Sequence, residues 1–209
     1  MGTSRGSLHS DVAVGFSKVN IGTFLNTQTD DWSIMGWFRG NSLITDYGMM
    51  FGCTTGSVSW HPTEKARSFF STETLGTTTL SFDEWYFYTH VHPGGANTVQ
   101  ELFLNGVSEQ TSVAITTTDM TPTAYIGGYS GTAWTYRGEL AHFHAYNEVV
   151  DVPKITELMW RPFSIPENSY QYIPGWDGDS IEYDRSGHGR NGTHEGDMEN
   201  SSEGPPVWI

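Results

Sequence analysis

Hydrolysis of a glycosidic bond calls for two carboxylates facing one another across a cleft. On a β-strand alternate residues share a face, so acids spaced E-x-D aim the same way. Glu182-Tyr183-Asp184 has that spacing, but Arg185-Ser186-Gly187 follows and supplies no third acid. Asp83 and Glu84 are adjacent, so a strand turns them to opposite sides. No acid pair is assigned a catalytic role, and the chain reads as non-enzymatic.

Two histidine pairs, His90/His92 and His142/His144, alternate along strand-like runs. Each pair projects from one face. Together they could ligate a metal only on neighbouring strands with those faces turned together; otherwise they are polar-face or interface residues. Calcium prefers oxygen donors. Asp177, Asp179 and Asp184 are the candidate ligands for a structural calcium, and turn formation by Asp is the competing reading. No other cofactor is expected. The single Cys53 forms no internal disulfide and excludes cysteine-based zinc sites.

Sugar recognition needs aromatic platforms beside polar groups. Tyr129, Trp134 and Tyr136 surround a Gly/Ser/Thr stretch that ends at Gly138. Their ring faces can stack on a glycan, or they can pack a sandwich edge or a subunit contact. Interfaces are a further possibility. The run Trp85 to Val91 carries bulk on both parities, with Tyr86 and Tyr88 opposite Trp85, Phe87 and Val91. A strand wet on one face alternates polar with apolar, so both faces of this one need cover. Tyr86, Tyr88 and the tail residues Trp176, Trp208 and Ile209 are therefore the expected interface residues.

The elements that must position these groups are short strands and turns. The chain has 209 residues, 24 Gly and 8 Trp. Its net charge of −14 repels phosphate backbones and argues against a nucleic-acid partner. No apolar run approaches a membrane span. The opening Met1 to Ser7 lacks the apolar stretch of a signal peptide, so folding in a cytoplasm is expected. Strands are expected at Val12–Phe16, Val19–Ile21, Trp32–Phe38, Met49–Phe51, Ser57–Trp60, Arg67–Phe70, Trp85–Val91, Val99–Leu104, Val107–Ile115, Ala124–Gly128 and Glu139–Tyr146. Asn105-Gly106 between two such runs predicts a type I′ hairpin. One helix is expected, capped by Asp151, with Pro153 in its first turn, Ile155, Leu158 and Met159 on one face, and an end near Trp160.

The order of motifs resembles laminin-G-like, concanavalin A-like jelly rolls. Trp32-Ser33-Ile34-Met35-Gly36-Trp37-Phe38 is similar to their "FTISAWF" strand, and Glu84-Trp85-Tyr86-Phe87-Tyr88 to "W-Y-H-V". Leu102-Phe103-Leu104-Asn105-Gly106-Val107 resembles "LYLNG", Tyr125-Ile126-Gly127-Gly128 "LYIGG", and Gly138-Glu139-Leu140-Ala141-His142-Phe143 "G-x-I-D-D-V". Ala141 and His142 replace the acids that the family uses for calcium. In the tail, Asp184-Arg185-Ser186-Gly187-His188-Gly189-Arg190-Asn191-Gly192-Thr193 resembles the "D-x-S-G-N-G-N-N-G-T" segment of bacteriophage structural proteins.

Residues and resemblance together predict an all-β chain: an antiparallel β-sandwich jelly roll over residues 1–160, with one short helix. Residues 161–209 form an extension docked on that domain or on a neighbouring subunit. The resemblance implies a virion protein, foremost a capsid decoration or cement subunit. Its partners would be further copies of itself, as a homo-oligomer, and the major capsid protein or other virion proteins. The alternative is a carbohydrate-binding adhesion module on the tail or virion surface, with a host glycan as partner.

Overall fold

The computed structural model describes residues 2–3, 7–10, 17–25, 29–54, 56–70, 72–95, 99–111, 123–129, 134, 136–164, 169–175, 180–196, 199–201 and 204–207. The expected strand at Val12–Phe16 lies outside them, as do Trp176, Asp177, Asp179, Trp208 and Ile209.

Two antiparallel sheets face each other. One, the helix-side sheet, runs Val107–Thr111, Glu101–Leu104, Tyr86–His92, Trp32–Gly40, Gly138–Tyr146, Ser7–Ser10, Glu199–Ser201, and Ser169–Ile173 also pairs with Gly138–Tyr146. The other, the open sheet, runs Ile181–Glu182, Gly192–Gly196, Ser17–Thr23, Thr123–Ile126, Gly48–Cys53, Gly56–His61, Lys65–Phe70, Thr72–Thr79. Gly2–Thr3 and Pro206–Val207 form a small separate ladder. Asn105 and Gly106 take φ values of 51° and 78°, as the expected type I′ turn demands, and join Glu101–Leu104 to Val107–Thr111.

Alternation decides what each sheet buries. Trp32, Ile34 and Phe38 point between the sheets, where they meet Phe51, Val58, Trp60, Phe70 and Ile126. The ring of Trp32 lies 5.0 Å from that of Phe70 and 5.9 Å from that of Phe24. The opposite parity, Met35 and Trp37 with Phe87, Val91, Phe103 and Tyr146, forms a second apolar layer.

The helix Val152–Trp160 covers that second layer. Asp151 caps it by accepting from the Lys154 amide at 3.0 Å, and Pro153 sits in the first turn. Ile155, Leu158 and Met159 are its buried face. Trp37 Nε1 donates to the Met159 carbonyl at 3.1 Å, satisfying an acceptor that the helix end leaves free. The strand with bulk on both parities is therefore covered twice within one chain. Tyr86 and Tyr88 lie in the core between the sheets, 8% and 4% exposed, and are not available to a partner. This corrects the interface role expected of them: the second cover is the chain's own helix.

Described parts of the tail extend both sheets. Ser169–Ile173 pairs with Gly138–Tyr146, and Gly192–Gly196 pairs with Ser17–Thr23. Asp184 holds the connection. Its Oδ1 accepts from the Tyr172 and Ser186 amides, both at 2.9 Å, and Oδ2 from Ser186 Oγ at 2.8 Å and the Arg190 amide at 3.0 Å. Asn191 Oδ1 accepts from the Asp184 amide at 3.0 Å, and Gly187 and Gly189 take positive φ. The D-x-S-G-x-G segment thus has a local structural purpose, a turn that seats the tail.

The strand Thr72–Thr79 was not expected, because its polar sequence hides the alternation. It forms the edge of the open sheet and is tied across to the edge of the other sheet. Glu109 accepts from the amides of Thr77 and Thr78, both at 2.7 Å, and from their hydroxyls at 2.9 and 2.6 Å. Partial burial raises the pKa of this carboxyl, but the bonds from Thr78 and Thr77 outweigh it and hold the group below its ordinary value. A depressed folded pKa means stability that is present above the unfolded value and lost as pH falls through the folded one. Glu109→Gln is expected to lower the unfolding free energy by about 1–2 kcal/mol at pH 7. In urea titrations the gap between variant and parent should shrink toward pH 3.

Candidate functional site

The outer face of the open sheet carries the site. On Gly56–His61, Val58 and Trp60 point inward, so Ser57 and Ser59 point out. On Lys65–Phe70, Ala66 and Phe70 point inward, so Arg67 and Phe69 point out. With Met49, Thr54 and Gly56, three of these outward residues, Ser57, Arg67 and Phe69, line a depression of about 260 Å³. Tyr47, Tyr129 and Trp134 line it as well.

Its walls are aromatic and partly exposed. Trp134 is 44% exposed and Phe69 38%. The Trp134 ring lies 6.0 Å from that of Tyr129 and 6.2 Å from that of Tyr47, roughly edge-on to each. Trp134 sits at φ 58°, a left-handed backbone that a bulky residue seldom adopts. At the floor the Arg67 guanidinium lies 4.6 Å from the Tyr47 ring centre and 4.9 Å from that of Phe69. Its Nε donates to Glu73 Oε2 at 2.6 Å and its Nη1 to Ser59 Oγ at 3.3 Å. Ring faces for sugar C–H surfaces thus stand beside a fixed fork of N–H donors, hydroxyls and a carboxylate.

Two of the three residues expected at a glycan site, Tyr129 and Trp134, come together here. The third does not. Tyr136 is fully buried in the core between the sheets, and burial raises its phenol well above the ordinary range. That is a correction: the Tyr136 amide donates to the Gly127 carbonyl, and its ring packs in the core. Tyr47, Ser57, Arg67, Phe69 and Glu73 were missed. The signal was in Arg67-Ser68-Phe69-Phe70, where two adjacent phenylalanines cannot both face the core of a strand.

The other expected sites are not assembled among the described residues. Asp184, a calcium candidate, spends both carboxylate oxygens on the four donors of the tail turn, which makes it a turn former. Glu182, two residues before it, is fully buried and bonds His194 at 3.2 Å. The E-x-D spacing recurs at Glu195-Gly196-Asp197, where Glu195 accepts from Asn20 Nδ2 and lies 3.4 Å from Lys18 Nζ. Asp197 lies outside the described residues. Gly2-Thr3-Ser4-Arg5-Gly6 spells the G-x-S-x-G of a nucleophile elbow, but a strand, Ser7–Ser10, follows where that elbow needs a helix. Among the described residues no three His, Cys, Asp or Glu gather as a metal would require.

The histidine pairs occupy opposite faces of the helix-side sheet. His90 and His92 contact the Trp32 ring in the core between the sheets, each at 5.1 Å. His142 and His144 lie on the helix side, where His144 stacks on Tyr172 at 4.2 Å. His142, at φ 52° within a bulge, contacts the Tyr172 hydroxyl through Nδ1 at 2.9 Å. The sheet separates the two pairs, so they make no joint metal site.

A Bacteroides ovatus protein provisionally assigned to carbohydrate binding superposes with a TM-score of 0.75 at 12% identity. The match covers 99% of this chain and 62% of that one, so this chain spans about three-fifths of its length. The native heptameric SAP-like pentraxin of Limulus polyphemus gives 0.57 at 14% identity, covering 73% and 80%. Domain 4 of an extracellular GH43 arabinanase of Geobacillus stearothermophilus, solved with arabinotriose, gives 0.50 at 14% identity, covering 75% and 88%. The fold is a lectin- and pentraxin-like jelly roll. No family model and no curated protein sequence matches the chain.

Burial makes the histidines a liability in acid. It holds His90 and His142 down to about 3, with the neighbouring His92 adding to the effect at His90. Burial, then His142, pushes His144 well below its usual value. The unfolded chain binds these protons near pH 6.5 while the folded one refuses them, so their cost grows as pH falls below 6.5. Three such groups should remove about 4 kcal/mol of stability between pH 7.5 and pH 5.5. Equal urea midpoints and slopes at the two pH values would show that these imidazoles are not held neutral.

Proposed function

We propose that this chain is a non-catalytic carbohydrate-binding module and that its outer aromatic depression is the binding site. The carrying observation is the exposed Trp134 ring, set edge-on to Tyr129 and Tyr47 in a depression that Arg67 and Ser57 also line. Exposed tryptophan is costly to leave in water and forms a good platform for the apolar face of a pyranose or furanose. The Bacteroides ovatus protein and the arabinanase domain, solved with arabinotriose, support the reading at the level of fold.

The geometry supports this reading better than the capsid-decoration reading. Tyr86 and Tyr88, two of the five residues expected at a subunit interface, are interior, and the described tail strands pair with the chain's own sheets. Hydrolysis gains no support either: no acid is among the described residues that line the depression, and Glu73, across from Phe69, is held by Arg67.

A glycan array followed by calorimetry on the best ligand tests the proposal. Trp134→Ala should weaken that ligand at least tenfold, a loss of about 1.4 kcal/mol or more. The melting temperature should barely move, because the side chain is 44% exposed and lies outside the core. Unchanged affinity in the variant, or silence of the whole array, would remove the depression from consideration.

A further inference from the structure

The floor of the depression also bears on the kind of sugar. Of the residues that line it, Arg67 is the cation, and it is spoken for. Its Nε meets Glu73 Oε2 at 2.6 Å, its Nη1 faces the hydroxyls of Ser57 and Ser59 at 3.5 and 3.3 Å, and its plane is held between Tyr47 and Phe69. The residue is 8% exposed, so the fork is rigid. Glu73 behaves differently. Its side chain is 41% exposed, and its Oε1 makes no hydrogen bond among the described residues. It stands directly across from Phe69 on the neighbouring strand.

A carboxylate in that position accepts hydroxyl protons and repels anions. The guanidinium charge that could have drawn a uronate, sialate or sulfate is already neutralised by Glu73. The whole chain adds a net charge of −14 behind it. Resting on the carbohydrate-binding reading, we infer that the site selects neutral saccharides, with sugar hydroxyls donating to Glu73 and accepting from the Arg67 fork. Glu73 is then the residue that sets specificity by charge. The pairing is geometric as well as electrostatic: Arg67 holds one oxygen of the carboxylate, and the partly exposed group stands beside Phe69 at the rim of the depression.

Binding of the intact chain to two panels tests this. One panel holds neutral arabino-, xylo-, manno- and gluco-oligosaccharides; the other holds oligogalacturonate, sialyllactose and a heparin fragment. The expected result is binding to a neutral member, with less than threefold change in affinity between 0.05 and 0.5 M NaCl, and no acidic ligand bound. Glu73→Gln should weaken the neutral ligand about tenfold and bring up a salt-sensitive signal from the acidic panel. A melting curve on the variant confirms that it is folded, and the salt series on the parent stands without it. Preference of the parent for an acidic ligand would overturn the inference while leaving the glycan site in place. So would a neutral ligand whose affinity ignores Glu73→Gln. Silence of both panels would instead bring down the carbohydrate-binding reading, and this inference with it.

Discussion

A sheet that is apolar on both faces has to be covered twice. In this chain that requirement falls on the helix-side sheet, where every residue of Gly138–Tyr146 and of Tyr86–His92 is buried. The open sheet covers one face. Helix Val152–Trp160 covers the other, fastened by the Asp151 cap and by Trp37 Nε1 on the Met159 carbonyl. The remaining edge of Gly138–Tyr146 is taken by Ser7–Ser10 and Ser169–Ile173. Each of these elements exists in its place because exposing that sheet would leave several large rings in water.

The same requirement locates the candidate site. With the helix-side sheet enclosed, the outer face of the open sheet is where outward-pointing side chains gather around a depression. Strand parity turns Ser57, Arg67 and Phe69 outward, and Tyr129 and Trp134 line the depression with them. A buried, doubly stacked guanidinium then gives the depression a stiff polar floor under soft apolar walls. This division of labour, with rings supplying area and a few fixed polar groups supplying direction, is what concave ligand sites share.

Much of the framework was legible. The Asn-Gly hairpin, the Asp-capped helix with its Ile155, Leu158 and Met159 face, and the strand at Trp32–Phe38 rest on local chemistry, and the structure shows each. Thr72–Thr79 escaped because threonine on both parities gives no period, and its place is fixed by Glu109 from another sheet. At the site, Trp134 and Tyr129 were found by residue type. Tyr136 is interior, a difference from Trp134 that residue type alone does not mark. Tyr86 and Tyr88 were read as sticky for a sound reason, two-sided bulk, but the cover came from within.

By itself the sequence determined the elements: turn residues, caps and alternation act over a few residues, and their energetics are complete at that range. It determined too that the strand from Trp85 to Val91 needed two covers. Only the tertiary structure decided which parity faced the core, what supplied the second cover, and that Arg67, Glu73 and Trp134 would meet. Those outcomes depend on which distant strands pair and on the water that their pairing excludes. A residue's type states what it could bind, and only its neighbours in space settle whether it is free to do so.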